Sequence, residues 1–331
     1  MAAVTKANPT SCKVVLAGAV AKDLLTEVSE GLSRLGRSPL LVGFLANTDP
    51  AARKYAEWTD RTCGENGFKF ELREVDREDL ETNLLAANED DGVDGIIVYY
   101  PIFGSRQDQY LQQVTEVSKD VEGLSHGYIF KLYHNERFLD KDMSQKSLLP
   151  CTPLAVLKIL DYLRVYNSIL PHGNRLFGRS ITVVNRSETV GRPLAALLAN
   201  DGACVYSVDV TGVQQFTRGE GIRKSRHEVV EKEGWGLEQC VPLSDVVICG
   251  VPGESFKLPT QLLREGAVCI NFSTEKVCGF PPEPKHRLTD LDKKNFEFDV
   301  KDKASMYVPA IGKVTIVMLL RNLLVSRNPK M

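Results

Sequence analysis

The sequence predicts an α/β protein of two domains, the second of them a doubly wound parallel sheet. Three observations carry this expectation. The 331 residues are enough for two domains of ordinary size. Short apolar runs alternate with amphipathic stretches, the rhythm of strand, helix and strand. Near residue 150 that rhythm restarts, with a new helix followed by four closely spaced apolar runs.

The first half opens the pattern with Leu40-Leu-Val-Gly-Phe-Leu45, a buried strand, followed by Asp49 as a helix N-cap and Pro50 at the first helical position. A second strand over 95–100 is stopped by Pro101. In the second half Thr152 reads as an N-cap and Pro153 as the first helical residue, with Leu154, Leu157, Leu160 and Leu163 on one face. Strands are expected at 181–184, 204–208, 246–249 and 267–271. The stretch 211–240 is polar and rich in Lys, Arg, Glu and Gly, and reads as a surface excursion between two core strands rather than a core element. Residues 314–325 are apolar around most of a helix, which is expected to pack back on the first domain. The expected domains are therefore 1–150 with 314–331, and 151–313.

Composition narrows the function classes. With 41 Lys and Arg against 43 Asp and Glu, the net charge of -2 creates no field that would gather nucleic acid or an anionic membrane. The longest apolar runs, at 96–100 and 315–320, fall far short of the roughly 20 residues of a membrane span. Residues 1–6 show neither an apolar signal core nor an Arg-rich presequence, so the cytoplasm is the default location. The eight cysteines include no Cys-x-x-Cys, and the five histidines have no ligand spacing; no metal and no disulfide framework are expected.

The clearest local signal is Ser180-Ile-Thr-Val-Val-Asn185-Arg-Ser187-Glu-Thr-Val-Gly191-Arg-Pro193. A strand ends in a short turn offering backbone N–H groups and the side chains of Asn185, Arg186 and Ser187, and Gly191 opens a helix whose positive end suits a pyrophosphate. It lacks Gly-x-Gly-x-x-Gly, so its meaning depends on context. The next strand supplies that context by delivering Asp209, followed by Val210, at its carboxyl end, where a carboxylate accepts hydrogen bonds from ribose hydroxyls. The cofactor this points to is NAD, because a 2′-phosphate would be repelled: two unit charges at 4 Å cost about 4 kcal/mol at an effective dielectric near 20. The alternative for Asp209 is an acid that merely caps a turn. Gly250, Val251 and Pro252 follow one later strand and Asn271 ends another, all where a doubly wound sheet meets its ligand.

The same turn, together with Lys119-Asp-Val-Glu-Gly-Leu124, Leu149-Pro-Cys-Thr-Pro153 and Gly312-Lys-Val-Thr-Ile-Val-Met-Leu319, resembles the methylenetetrahydrofolate dehydrogenase/cyclohydrolase family, in order through both halves. Leu41 to Ala46, Asp108 to Gln113 and the polar insertion are most similar to its monofunctional NAD-dependent fungal branch. The resemblance implies a Rossmann-like NAD-binding second domain, tetrahydrofolate derivatives bound in an interdomain cleft, hydride transfer from 5,10-methylenetetrahydrofolate to NAD, and a homodimer serving one-carbon metabolism and purine synthesis. It assigns Glu122 to the pterin edge, Tyr55 to its border, and Thr315 to the cofactor side. Cys151 stands at a helix start, where the dipole would lower a thiol pKa; a catalytic and a structural role are both open.

The departures from the family are informative. The lysine of its Tyr-x-x-x-Lys motif, which serves the cyclohydrolase step, is Thr59 here, and the glutamine that partners it is replaced at Tyr99. A family serine is Ala52. A hydroxyl cannot do the work of an ammonium, so hydride transfer without cyclohydrolase activity is expected. Two alternatives are a non-catalytic folate or NAD sensor and an amino-acid or hydroxy-acid dehydrogenase of similar architecture.

Overall fold

A computed structural model describes residues 12–219, 226–252, 256–273 and 300–328. Contacts divide the chain into two compact units. The first holds Gly18–Tyr166, Glu188–Leu197 and Gly312–Met331; the second holds Met1–Ala17, Asn167–Ser187 and Leu198–Ile311. Residues 151–166 thus cluster with the N-terminal segments.

In the first unit, helix α1 (Ala17–Leu35) precedes strand β2 (Leu40–Leu45), α2 (Pro50–Glu65), β3 (Lys69–Glu74), α3 (Leu80–Glu89), β4 (Gly95–Val98), α4 (Arg106–Val114), α5 (His126–Tyr133) and α6 (Cys151–Tyr162). Strands β3, β2 and β4 pair in that order, all parallel. A near-continuous apolar β2 and a four-residue β4 buried throughout are what helices on both faces of a parallel sheet demand. Asp49 accepts from the Ala51 amide at the α2 start and Pro50 is the first helical residue, as the sequence predicts.

The helix expected to begin at Pro153 with Thr152 as its N-cap begins instead at Cys151, after Pro150. No side chain caps it. A main-chain carbonyl does so, since the Cys151 amide donates to Glu122 O at 3.2 Å, and a local reading of capping residues has no access to a partner 29 positions away. The last helix, α9 (Gly312–Arg327), is buried at almost every position from Val314 to Val325 and packs on α6 and α2, all in this unit.

The second unit carries an eight-stranded sheet. Its members are β1 (Lys13–Val14), β5 (Ser180–Val184), β6 (Cys204–Asp209), β7 (Gly212–Thr217), β8 (Glu228–Lys232), β9 (Val246–Cys249), β10 (Val268–Asn271) and β11 (Met306–Val308), in the order β1-β11-β10-β9-β5-β6-β7-β8. Helix α7 (Gly191–Asn200) follows β5, and α8 (Leu237–Cys240) is a single turn. The order reverses at β5, since β6 lies on one side of it and β9 on the other; this is the switch point at which such sheets bind ligands.

In the stretch 211–240, of which 220–225 lie outside the described residues, the chain forms two strands of the sheet rather than only the surface excursion that its composition suggests. Strands β7 and β8 extend the sheet antiparallel to β6, in the register Val205↔Phe216 and Asp209↔Gly212. Val213 and Phe216 are buried, while Gln214, Gln215 and the charged residues of β8 occupy solvated positions. Half-exposed edge strands need few apolar residues, and charge along an edge discourages pairing with other chains. The hydrophobic signal is therefore thin.

One buried cation explains how the motif beginning at Lys119 is anchored. Lys119 is 6 % exposed. Its ammonium donates to the carbonyls of Ala87, Asn88 and Asp90 at 2.9, 2.7 and 2.7 Å, where α3 ends and its last carbonyls lack helical partners. Replacing Lys119 by Met leaves three buried carbonyls unsatisfied and is expected to cost about 2–4 kcal/mol. The denaturant midpoint of the variant against the parent checks this; an unchanged midpoint refutes the anchoring role.

Candidate active site

The first unit gathers a carboxylate, three phenols and a thiol. Glu122 lies in the turn after Lys119, and its Oε2 accepts from the amide of Val98 at the end of β4, at 2.9 Å. The turn is itself held by the buried Asp120, whose two oxygens accept from the amides of Gly123 (2.9 Å) and Ser125 (2.7 Å). Gly123 has φ +73°, and a Cβ there would lie 2.8 Å from the Leu149 carbonyl carbon, so only glycine allows the turn to pass so close to the start of α6. Glu122 keeps part of its surface open. Even so, crowding by apolar and phenolic groups pushes its carboxyl up to about 8, the Val98 amide opposes that rise, and the nearby Asp120 charge adds to it. Among the described residues no ammonium or guanidinium bonds it.

Tyr55 on α2 and Tyr99 after β4 meet edge to face, with ring centroids 5.9 Å apart and planes at 79°. Burial raises the Tyr55 hydroxyl well above its ordinary value, helped by Cys151, Tyr99 and Glu122, which places these four side chains together. Tyr99 is buried and its hydroxyl, beside Thr59, has no well-formed partner; the Tyr100 hydroxyl likewise has none. Thr59 is fully buried and donates to its own helix, at Tyr55 O, 2.9 Å. A threonine spent on its backbone in this way presents no charge to a ligand.

The expectation that the helix start activates Cys151 is corrected. The thiol is buried, and burial, with Glu122 and Asp120 nearby, raises its pKa well above the ordinary value. Its Sγ–H donates to Val121 O at 3.3 Å. Desolvation outweighs the helix dipole, because the dipole acts through a fraction of a charge while burial strips the thiolate of water. The thiol lies next to the carboxylate and is held as the neutral S–H.

The second unit holds the turn after β5 in which the sequence places a dinucleotide. Asn185 adopts φ +146°, a strained value for a residue with a side chain. The side chain supports it, with Nδ2 donating to Gly250 O (2.8 Å) and Oδ1 accepting from the Ser187 amide (2.8 Å). The carboxyl ends of β5 and β9 are thus tied together. Asp209 accepts the Arg186 amide on one oxygen (3.0 Å) and the Val210 amide on the other (2.8 Å). A carboxylate has about four acceptor positions, so capacity remains for ribose hydroxyls. The Arg186 guanidinium turns back on the sheet, to Ser207 O (2.9 Å) and Gly212 O (2.5 Å), and braces the β6–β7 hairpin. Beside it the Val210 side chain is fully exposed.

Gly250 follows β9 under the ring of Phe272, and a Cβ there would fall 1.7 Å from a ring carbon. Val251 O accepts from Ser273 Oγ (2.9 Å), Pro252 is exposed, and Asn271 bridges Pro309 O (3.1 Å) and the Ser273 amide (3.0 Å). These residues line up along the carboxyl ends of β5, β6, β9 and β10. Gly191 and the buried Thr315, at the starts of α7 and α9, cluster with the first unit instead. Sequence reasoning missed Asp120, Tyr100 and Asn322. The last was detectable as a lone amide within the apolar stretch of α9.

A model of the tetrahydrofolate dehydrogenase/cyclohydrolase catalytic domain matches residues 15–122. The methylenetetrahydrofolate dehydrogenase [NAD(+)] of Schizosaccharomyces pombe is 53 % identical over 326 residues, covering 98 % of this chain and 96 % of the relative. This chain belongs to the tetrahydrofolate dehydrogenase/cyclohydrolase family. The solved NAD-dependent 5,10-methylenetetrahydrofolate dehydrogenase of Saccharomyces cerevisiae superposes with a TM-score of 0.86 at 50 % identity, over 96 % of this chain and 98 % of that one. A bifunctional methylenetetrahydrofolate dehydrogenase/cyclohydrolase from Campylobacter jejuni shares the fold, at 22 % identity and a TM-score of 0.71, over 96 % and 100 % of the two chains. No described helix is long and apolar enough to cross a membrane.

Within this family fold, Gly250→Ala tests the geometry of the dinucleotide turn. The added methyl must displace the Phe272 ring and, with it, the carbonyl that Asn185 holds. The expected outcome is NAD affinity lowered by roughly tenfold or more in titration calorimetry, with folate affinity changed far less. Unchanged NAD binding would overturn the assignment.

Proposed function

We propose that this chain oxidises 5,10-methylenetetrahydrofolate to the 5,10-methenyl compound with NAD as hydride acceptor, and does not catalyse hydrolysis of the product. The observation that carries the reading is Glu122: a carboxylate among Tyr55, Tyr99 and Tyr100 with no cation bonded to it among the described residues, beside a Thr59 whose hydroxyl is committed to the helix backbone. The relatives' names support the dehydrogenase activity and NAD.

The chemistry asks little of the protein in proton transfer. Loss of hydride from the methylene carbon is driven by the flanking nitrogen lone pairs and leaves a delocalised cation. Positioning carries the rate. Glu122, with one acceptor position taken by the Val98 amide, has room for two parallel N–H bonds from the 2-aminopyrimidinone edge of the pterin. The Tyr55 and Tyr99 rings form an apolar wall for that ring. Water attack on the methenyl carbon would need an activated water and a proton acceptor steered by a cation, and Thr59 supplies neither.

The residues of the second unit fit NAD: Asp209 retains free acceptor positions at the end of β6, Gly250 allows close backbone approach, and the Asn185–Ser187 turn offers amides at the switch point. Bound there, NAD supplies the hydride acceptor. The uncompensated Asp209 favours a ribose 2′-hydroxyl over a 2′-phosphate. The family resemblance further supports a cytoplasmic homodimer whose product serves one-carbon transfer in purine synthesis.

An absorbance assay tests the activity. Methylenetetrahydrofolate with NAD should give NADH, NADP should serve more than tenfold less well, and added methenyltetrahydrofolate should decay only at the buffer rate. Binding of both ligands without turnover would instead favour a sensor, and rapid methenyl hydrolysis would remove the claim about Thr59. The pH dependence follows from Glu122. Its carboxyl titrates near 8 in the free protein, so the charged form that accepts pterin N–H bonds is scarce at pH 6 and prevails above 8. Folate kcat/KM should therefore rise with pH and level off above about 8, whereas Glu122→Gln should be slow and flat across the same range. A wild-type profile without that rise would count against the assignment.

A further inference from the structure

The amide of Asn322 lies at the junction of three segments that are far apart in sequence. Asn322 is 1 % exposed, on a helix otherwise apolar through this stretch. Its Nδ2 donates to Val121 O at 3.0 Å and to Leu149 O at 2.9 Å, and lies 3.5 Å from Cys151 Sγ. Its Oδ1 is buried without a partner among the described residues. A polar side chain that keeps an unsatisfied oxygen inside an apolar core costs stability, so packing alone gives no reason for an amide there.

The positions of the accepting carbonyls suggest what the amide does. Val121 O belongs to the peptide unit whose nitrogen is that of Glu122, and it accepts from both Asn322 Nδ2 and Cys151 Sγ. The Glu122 carbonyl on the other side accepts from the Cys151 amide. Leu149 O faces Gly123, where only the missing side chain permits the approach. The backbone that carries Glu122 is therefore fixed on both sides, and the Asn322 side chain donates both to the Glu122 turn and to the entry to α6.

We propose that Asn322 is a positioning residue for the folate step: by clamping Val121 and Leu149 it sets the direction in which Glu122 presents its carboxylate to the pterin. The inference rests on Glu122 being the pterin contact. Without the clamp the turn keeps its Asp120 bonds but gains freedom relative to α6, and the carboxylate loses registry with a ligand that must be placed to within a fraction of an ångström.

The test compares Asn322→Leu, which keeps the branching at Cγ and removes both N–H donors, with Asn322→Asp, Glu122→Gln and a packing control, Val325→Ala. The expected result for Asn322→Leu is a folate kcat/KM reduced by roughly tenfold or more, an NAD KM within twofold of the parent (about the scatter of such measurements), and a shifted pH profile for the folate term. Asn322→Asp should be the more damaged at neutral pH, where an anion faces two carbonyls, and its folate kcat/KM should recover relative to the parent's toward acid pH as its protonated oxygen donates again. Val325→Ala should lower Tm and leave the folate-to-NAD ratio alone.

The proposal is overturned if folded Asn322→Leu keeps the parental folate kcat/KM and pH profile, or if folate and NAD parameters fall together. Should Asn322→Leu not fold, Asn322→Ser carries the same comparison. If Glu122→Gln itself leaves the folate parameters unchanged, the pterin assignment fails; if Glu122→Gln is damaged and the Asn322 variants are not, the clamp alone fails.

Discussion

A seven-residue segment without regular structure, Lys119 to Ser125, runs through the interior of the first unit, and its polar groups must find partners where water does not reach. The partners come from all around it. Lys119 closes the end of α3, Asp120 ties the turn to itself, Val98 holds the Glu122 side chain, and Cys151 and Asn322 take the carbonyls of Val121 and Glu122. Each bond satisfies a buried group and in doing so removes a freedom from Glu122. Stability and preorganisation of the site are here the same set of hydrogen bonds.

The second unit meets a similar demand by a different route. Its ligand-facing edge is made of strand ends, whose terminal amides and carbonyls have no ladder partners. Asn185 joins β5 to β9, Asp209 takes the two amides that follow β5 and β6, and the Arg186 guanidinium closes the β6–β7 hairpin. The strained φ of Asn185 is tolerated because its carboxamide makes two bonds that no other conformation would supply together. Asp209 beside this turn accepts only these two amides among the described residues and keeps spare acceptor capacity.

In the Glu122 cluster no ammonium or guanidinium bonds the carboxylate among the described residues. A fixed ammonium near Glu122 would lower the carboxyl pKa and serve a hydrolytic step. Thr59 leaves the carboxyl high and the neighbourhood aromatic and thiol-lined. Such a pocket suits a reaction whose product is a delocalised cation and whose substrate needs orientation more than proton removal.

Much of this was legible locally. The apolar runs at β2, β4, β5, β9 and β10, the Asp49–Pro50 helix start and the buried α9 follow from periodicity and capping, because these depend on neighbours a few residues away. The dinucleotide turn and the motif around Glu122 were recognisable as patterns. Where local reading failed, the partner was remote or the burial one-sided: β7 and β8 carry too few apolar residues to announce a strand, the start of α6 is capped by Glu122 O, and the thiol of Cys151 answers to desolvation rather than to its helix. What the sequence determined by itself was which residue types stand at the ends of which strands and helices, and that a lysine is missing. Only the tertiary structure decided how those residues are charged, aimed and held, because desolvation and hydrogen bonding to carbonyls 170 to 200 positions away are properties of the packed chain and not of any segment of it.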